Sequence, residues 1–396
     1  MKPESGSWRL MCARACAWAL LVSGWIGIGS LAFVQTANVT AGFALVALWL
    51  VVLGGAATRA TRIDVSSAWR AAALLGAAVI AAGGLWRAPQ GGGLAALLVA
   101  VLGFGALTAL ASGVVRRLRV AQRARPRPPI AAAGAGALVA GLVLGDIGDV
   151  QALTLRLGVF VVAVACVLVA LPLAVASRAP GPGCRAGLFD CSLPAWPAGA
   201  WCELSQWPTL LAGLAMLPMM AALPLMVAWC RAEAIAPQAM VLLHLAAMFG
   251  PVWLWRVAIT GARPASLSAS CAALLAAGAA IVTWAPAPWD LLGLALTHGA
   301  AWGLAWGGQL WAPARRGQQG TSPLRAALGY ALLTLAFGVL VDRFGAGGVA
   351  AAHAALGLAA AIAWTVSASA RAAAPGASAP TPAPGTAHPD HRAGGL

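Results

Sequence analysis

The sequence predicts an all-α membrane protein of twelve transmembrane helices arranged as two sets of six. Three observations carry that expectation. Of its 396 residues, 61% are apolar and only 9% charged, too few charges to cover an ordinary soluble surface. The apolar residues gather into stretches of roughly 20, the length one bilayer crossing needs. The basic residues fall in the connections, on alternate sides, as cytoplasmic loops require.

The first stretch, residues 15–35, follows Lys2, Arg9 and Arg14. Its apolar run from Ala17 to about Val34 exceeds the ~7–15 residues of a secretory signal core, so it reads as a retained span. Five more spans are expected at 39–57, 69–86, 93–115, 130–150 and 153–176, which makes residues 1–176 a first half. Residues 177–208 form the longest interruption, a Pro- and Gly-containing linker with Cys184, Cys191 and Cys202. Six further spans follow at 209–230, 237–258, 265–285, 290–311, 324–342 and 347–367, within a second half of 209–370. The tail, 371–396, is Ala, Pro, Gly, Ser and Thr without apolar periodicity, and is expected to be disordered, with His388 and His391 solvated.

Charge supports the count. Of the 25 basic residues all but Arg87, Arg156, Arg231 and Arg343 fall at the amino end, in the even-numbered connections or in the tail. Both termini are therefore expected in the cytoplasm and the number of spans to be even. The net charge of +15 serves topology here, so no nucleic acid is expected as partner; the partner of the spans is membrane lipid. Eight scattered cysteines, with no Cys-x-x-Cys, offer neither a disulfide framework nor a zinc or redox motif. Many of the 18 tryptophans, among them Trp69, Trp86, Trp207, Trp229, Trp289 and Trp311, stand near span ends, where an amphipathic indole anchors to the interface.

Gly338, Asp342, Arg343 and Gly345, between spans eleven and twelve, reproduce a Gly-x-x-x-Asp-Arg-x-Gly pattern. With the six-plus-six plan, this resembles the major facilitator superfamily, whose halves rock around a midplane site. A helix end with a compact turn explains so short a match equally well. Between spans two and three the chain has Gly54, Thr58, Arg59, Thr61 and Arg62, without the acid and second glycine.

One stretch stands out for its chemistry. Apart from Met1 and Met11, every methionine lies between residues 216 and 248: Met216, Met219, Met220, Met226, Met240 and Met248. Met216 and Met220, and likewise His244 and Met248, are spaced i,i+4 and share a helix face. If spans seven and eight are antiparallel about a turn near Ala234, Met220 and Met248 reach similar depth, roughly 15 Å in at ~1.5 Å per residue. Thioether and neutral imidazole suit a soft ion such as Cu(I), and no carboxylate is present on these two spans. Met can also merely fill gaps in a core, and a lone His can bond a neighbouring carbonyl. The concentration of every later methionine in this one stretch favours metal handling. Met226 with Cys230, and Met240, extend an accessory path toward the outside.

The paired Met-x-x-x-Met and His-x-x-x-Met resemble the signature of the CcoA-like copper importers, the CalT family of that superfamily. The resemblance implies a multi-pass protein of the bacterial inner membrane that imports copper for assembly of a cbb-type cytochrome oxidase. Copper is then a transported substrate rather than a permanent cofactor. Cys184, Cys191 and Cys202 could pass it to a cytoplasmic copper chaperone. Two alternatives stay open: a drug or metabolite permease with a Met-rich pocket, and a non-transporting assembly factor that holds copper. No acid–base pair, nucleotide loop or nucleophile triad points to an enzyme. Cys12 with Cys16, His298 and His353 are further candidates for metal contact or a pathway; Cys166 and Cys271 are expected in the core, and Asp146 and Asp149 at an outer span end.

Overall fold

The computed structural model describes residues 7–60, 67–121, 130–144, 149–171, 207–208, 211–213, 216, 219–220, 236–254, 264–311 and 323–372. All regular structure among them is helical. The first crossing is built from α1 (Ser7–Ser23), a π-helical stretch at Gly24–Ile28, and α2 (Gly29–Thr36). A two-residue turn follows, in which Ala37 takes a left-handed φ of 50° and the Asn38 side chain accepts the Ala41 N–H at 3.0 Å. That bond caps α3 (Val39–Ala60). Then come α4 (Ser67–Arg87) and α5 (Gly93–Ala121), antiparallel across a turn in which Gly91 (φ 93°) and Gly93 (φ 50°) reverse the chain.

The remaining helices are α6 (Ile130–Leu144), α7 (Val150–Ala170), α8 (Pro237–Leu254), α9 (Pro264–Trp284), α10 (Trp289–Trp311) and α11 (Pro323–Ala372). α11 is two crossings, because Gly345, with φ 57° and ψ −145°, breaks it at its middle. The first predicted span falls on α1, the π-helical stretch and α2 together, and each of the others except the seventh overlaps one helix or half of α11. Of the seventh stretch the described residues, from 207 to 220, are helical. The interruption at 177–206 and the tail from 373 lie outside the described residues.

Two boundaries differ from expectation. α1 begins at Ser7, two full turns before residue 15, and this carries Arg14 into the bundle at 2% exposure rather than leaving it in a flank. The sixth crossing begins at Val150. Asp149 is the reason for that start: its carboxylate accepts the Ala152 N–H at 3.0 Å, an N-cap. Asp146 lies outside the described residues.

Several buried hydroxyls inside the spans are satisfied locally, although Ser23 Oγ has no hydrogen-bond partner among the described residues. Ser30, Thr108, Thr334 and Ser367 each donate to the carbonyl four residues back, at 2.7–2.8 Å, so a polar side chain costs little at membrane depth.

Successive crossings are antiparallel, so the tight turns at 37–38, 88–92, 285–288 and 345 share one face of the bundle, here the short-turn face. The longer connections belong to the opposite, long-loop face. The first six crossings meet the later ones along two seams. One joins α3 to α11 and the other α6 to α8. Both are close because glycines leave room: a Cβ on Gly338 would lie 2.6 Å from that of Phe43, and one on Gly141 would lie 2.9 Å from Leu242. The Gly338–Gly345 motif thus does backbone work. Its first glycine admits Phe43 and its last turns the chain, while Asp342 and Arg343 between them are exposed.

Candidate metal ladder and its closures

α8 has no face on which a methionine is wasted. Its buried residues fall in two adjoining rows, Met240, His244 and Met248 in one and Val241, Leu245 and Phe249 in the other, while Leu243 is 42% exposed. The second row packs on α6, where Gly141 receives Leu242 and Leu245 and Gly134 receives Phe249. The first row is turned toward α10. There the His244 ring lies against Gly299, on which a Cβ would come 3.2 Å from Nδ1 and 2.8 Å from the His244 carbonyl.

The ring itself is fixed by one bond. His244 Nδ1 lies 2.6 Å from the carbonyl oxygen of Ala295, so Nδ1 carries the proton and donates it. Nε2 is buried and has no hydrogen-bond partner among the described residues. A neutral imidazole held this way presents a lone pair at Nε2, and a second-atom bond to a backbone carbonyl is how metal-binding histidines are commonly oriented. Met248 is one helical turn along the same row.

Met216, Met219 and Met220 of the seventh stretch are also buried, at 0–1% exposure, and belong with Met240 and Met248 to one contiguous apolar core. Met219 was absent from the spacing argument because it falls outside the i,i+4 pair. Met226, Cys230, Cys184, Cys191 and Cys202 lie outside the described residues. Among the described residues no three His, Cys, Asp or Glu side chains converge as a metal cluster, so any metal site here draws on thioethers. Cys12 and Cys16 are free and half-buried. Cys271 is buried, its thiol donating to Ala301 O at 3.4 Å. Cys166 is exposed on α7, a correction to its assignment to the core.

One group escaped the sequence reading, and so did the pairing of two residues it had named. The row of α8 ends against an aromatic cluster: Trp18 of α1, Phe249 of α8, and Trp302 and Trp306 of α10. Trp18 meets Phe249 at 5.3 Å and Trp306 at 5.4 Å, edge on, and the two α10 indoles stack at 5.3 Å with planes 12° apart. Trp18 and α10 come from different ends of the sequence, so the cluster joins the first six crossings to the later ones. Trp69, Trp86 and Trp289 are exposed as anchors should be, at 57–72%. Trp18, Trp25, Trp49, Trp302 and Trp306 are buried instead. Trp25, Trp49 and Trp302 fall in mid-span, which was the available signal; Trp18 and Trp306 stand near ends of the predicted spans and gave none. The pairing is that of His298 on α10 with His353 on α11, with ring centroids 5.1 Å apart.

No protein-family model matches the chain, and no curated protein matches it. Solved structures do. A crystal structure of the nucleoside transporter NupG aligns with a TM-score of 0.58 over 92% of this chain and 99% of that one, at 16% identity. The xylose transporter XylE from E. coli, in a partially occluded inward-open conformation, gives 0.57 over 91% and 98%, at 11% identity. The chain has the major facilitator fold. In that fold the seams of α3 with α11 and of α6 with α8 are contacts between the two six-helix halves, and the α8 row lies beside one of them.

Proposed function

We propose that the protein is a secondary transporter that carries copper across a membrane by alternating access, passing it along Met216, Met220, His244 and Met248. The observation that carries this reading is His244: a buried imidazole with Nδ1 committed to a carbonyl and Nε2 unpartnered, in one row with two methionines. A neutral nitrogen and thioether sulfurs match the preference of Cu(I) and refuse hard cations.

The ligands are 0–1% exposed, so an ion reaches them only when a contact between the halves opens. Two such contacts bracket the row. On the short-turn side Phe43 of α3 faces Phe337 of α11, with centroids 6.0 Å apart. On the long-loop side the Trp18–Phe249–Trp302–Trp306 cluster closes the end of the row immediately beyond Met248. Rocking of the halves opens one and shuts the other. The basic connections favour a cytoplasmic long-loop face and cytoplasmic termini, in the inner membrane of a bacterium. Copper released there would meet Cys184, Cys191 and Cys202, then a chaperone serving cbb-type oxidase assembly.

Copper accumulation by cells with and without the protein tests the reading. Uptake is expected to fall in Met216→Ala, Met220→Ala, His244→Ala and Met248→Ala variants that reach the membrane; unchanged uptake in all four refutes it. Copper bound by purified protein without flux into proteoliposomes would instead favour a copper-holding assembly factor.

A second reading is a permease for an organic solute. The similar solved structures are transporters named for a nucleoside and for xylose, and the stacked Trp302 and Trp306 offer a flat aromatic surface for a ring. Uptake of such a solute that survives loss of His244 would favour it.

A further inference from the structure

We propose that His298 and His353 form a proton-binding site that controls the contact between the two halves on the short-turn face. The pair lies on α10 and the second half of α11, and His298 directly precedes Gly299, against which the His244 ring packs. Both rings are buried, at 1% and 3% exposure, edge to face with centroids 5.1 Å apart. His353 Nδ1 donates to the Val349 carbonyl one turn back at 2.8 Å, and its Nε2 is buried with no hydrogen-bond partner among the described residues.

The pair is joined to the closure by one aromatic ring. Phe337 stands 6.0 Å from the His353 ring at 90° and 6.0 Å from Phe43 across the seam. Gly338, next in the chain, is a position of close approach between α3 and α11, where a Cβ would lie 2.6 Å from that of Phe43. A change of charge on the imidazoles is therefore one side chain away from the surface that holds the short-turn face shut.

Only histidine among ordinary side chains exchanges a proton between about pH 5 and 8. Within the described spans the histidines are His244, His298 and His353. Among the described residues, the other titratable or charged side chains on the surrounding helices are Arg59 at the long-loop end of α3, Cys271 on α9, Asp290 at the start of α10, and Arg325, Tyr330, Asp342 and Arg343 on α11. Of these, Cys271 and Tyr330 are buried, and Asp342 and Arg343 are exposed near the short-turn face. None of them supplies a buried carboxylate to hold a proton in place of the pair.

Two imidazoles this close in a low-dielectric interior do not both become cations, so the site binds one proton and titrates as a unit. The bound proton makes a charge that burial disfavours. It is held more tightly where the seam parts and water reaches the rings. Acidification thus populates the conformation open at the short-turn face, and loss of the proton lets Phe337 close on Phe43 again. Use of this step to drive uptake rests on the transporter reading; its existence does not, and the test needs no substrate.

The chain has five histidines, so ring resonances of histidine-labelled protein in lipid nanodiscs can be assigned by single substitution. Those of His298 and His353 are expected to move together between about pH 8 and 5. Hydrogen exchange at residues 36–39 and 344–347, corrected for its intrinsic pH dependence, is expected to rise about tenfold over the same range as the closed population shifts. The rise should vanish in His298→Gln and His353→Gln and persist in His244→Gln. In Phe337→Leu the rings should still titrate while the exchange response is lost. Wild-type rings that bind no proton across this range overturn the proposal without reference to any variant. So does a pH response of exchange that survives in both pair variants.

Discussion

The two six-helix halves share a fold but divide the chemistry unevenly. Among the described residues, the buried polar side chains of the first six crossings are Arg14 and the hydroxyls of Ser23, Ser30, Thr108 and Thr154. The later crossings hold His244, His298 and His353 besides their hydroxyls, and all of the buried methionines. The first half therefore offers surfaces: Trp18 to the aromatic cluster, Phe43 to Phe337, and glycines to α8. The second offers donors. In a rocking mechanism this makes one half a lever and the other a carrier, and the asymmetry can be attacked from either side.

The largest effect is expected on the carrier side. His244→Ala should lower copper uptake by at least about 10- to 100-fold, the loss that removing even a group that only orients a ligand brings, while Ser30→Ala in the first half should leave it within about twofold, since that hydroxyl only bonds its own helix. Comparable losses in the two variants would abolish the distinction. Next comes Gly299→Val. Its side chain would collide with the His244 carbonyl and part α8 from α10, at a cost of about 1–3 kcal/mol. Thermal unfolding in detergent reads the cost, and uptake should drop even though all four ligands are kept.

A smaller effect is expected where the halves touch. Trp18 and Phe249 are 5.3 Å apart edge to face, and a double-mutant cycle on thermal stability should return a coupling of about 0.5–1.5 kcal/mol. Zero coupling would mean that the cluster does not join the halves energetically. The smallest effect on transport belongs to Asp149→Ala. Losing the cap of α7 should cost about 1 kcal/mol of stability, with uptake unchanged in the variant that remains folded.

The Met and His spacing could be read from sequence because i,i+4 spacing on one helix is local: whatever surrounds α8, Met240, His244 and Met248 must fall in one row. The Asp-Arg motif could be read as a pattern but not as a function. Its glycines turned out to serve Phe43 and the chain reversal, which requires knowing what lies across the seam. His298 and His353 are 55 positions apart in sequence, and no periodicity relates them. Trp18 and Trp302 are further still. Tryptophans that anchor and tryptophans of the cluster are the same residue, and only what packs on them separates the two.

Sequence by itself determined the helices, their approximate ends, their alternation across the membrane and the row on α8. All of these follow from apolar run length, charge in the connections and the helical repeat. The tertiary structure decided which side of each helix is inside. In a bilayer that choice is not written in hydrophobicity, because lipid tails are as apolar as a core: Leu31 is fully buried and Leu332 is 67% exposed, yet both are leucines in apolar spans. Small residues, close approaches and aromatic contacts between distant parts of the chain select the inner face, and with it the histidine pair, the burial of Arg14 and the two closures between the halves.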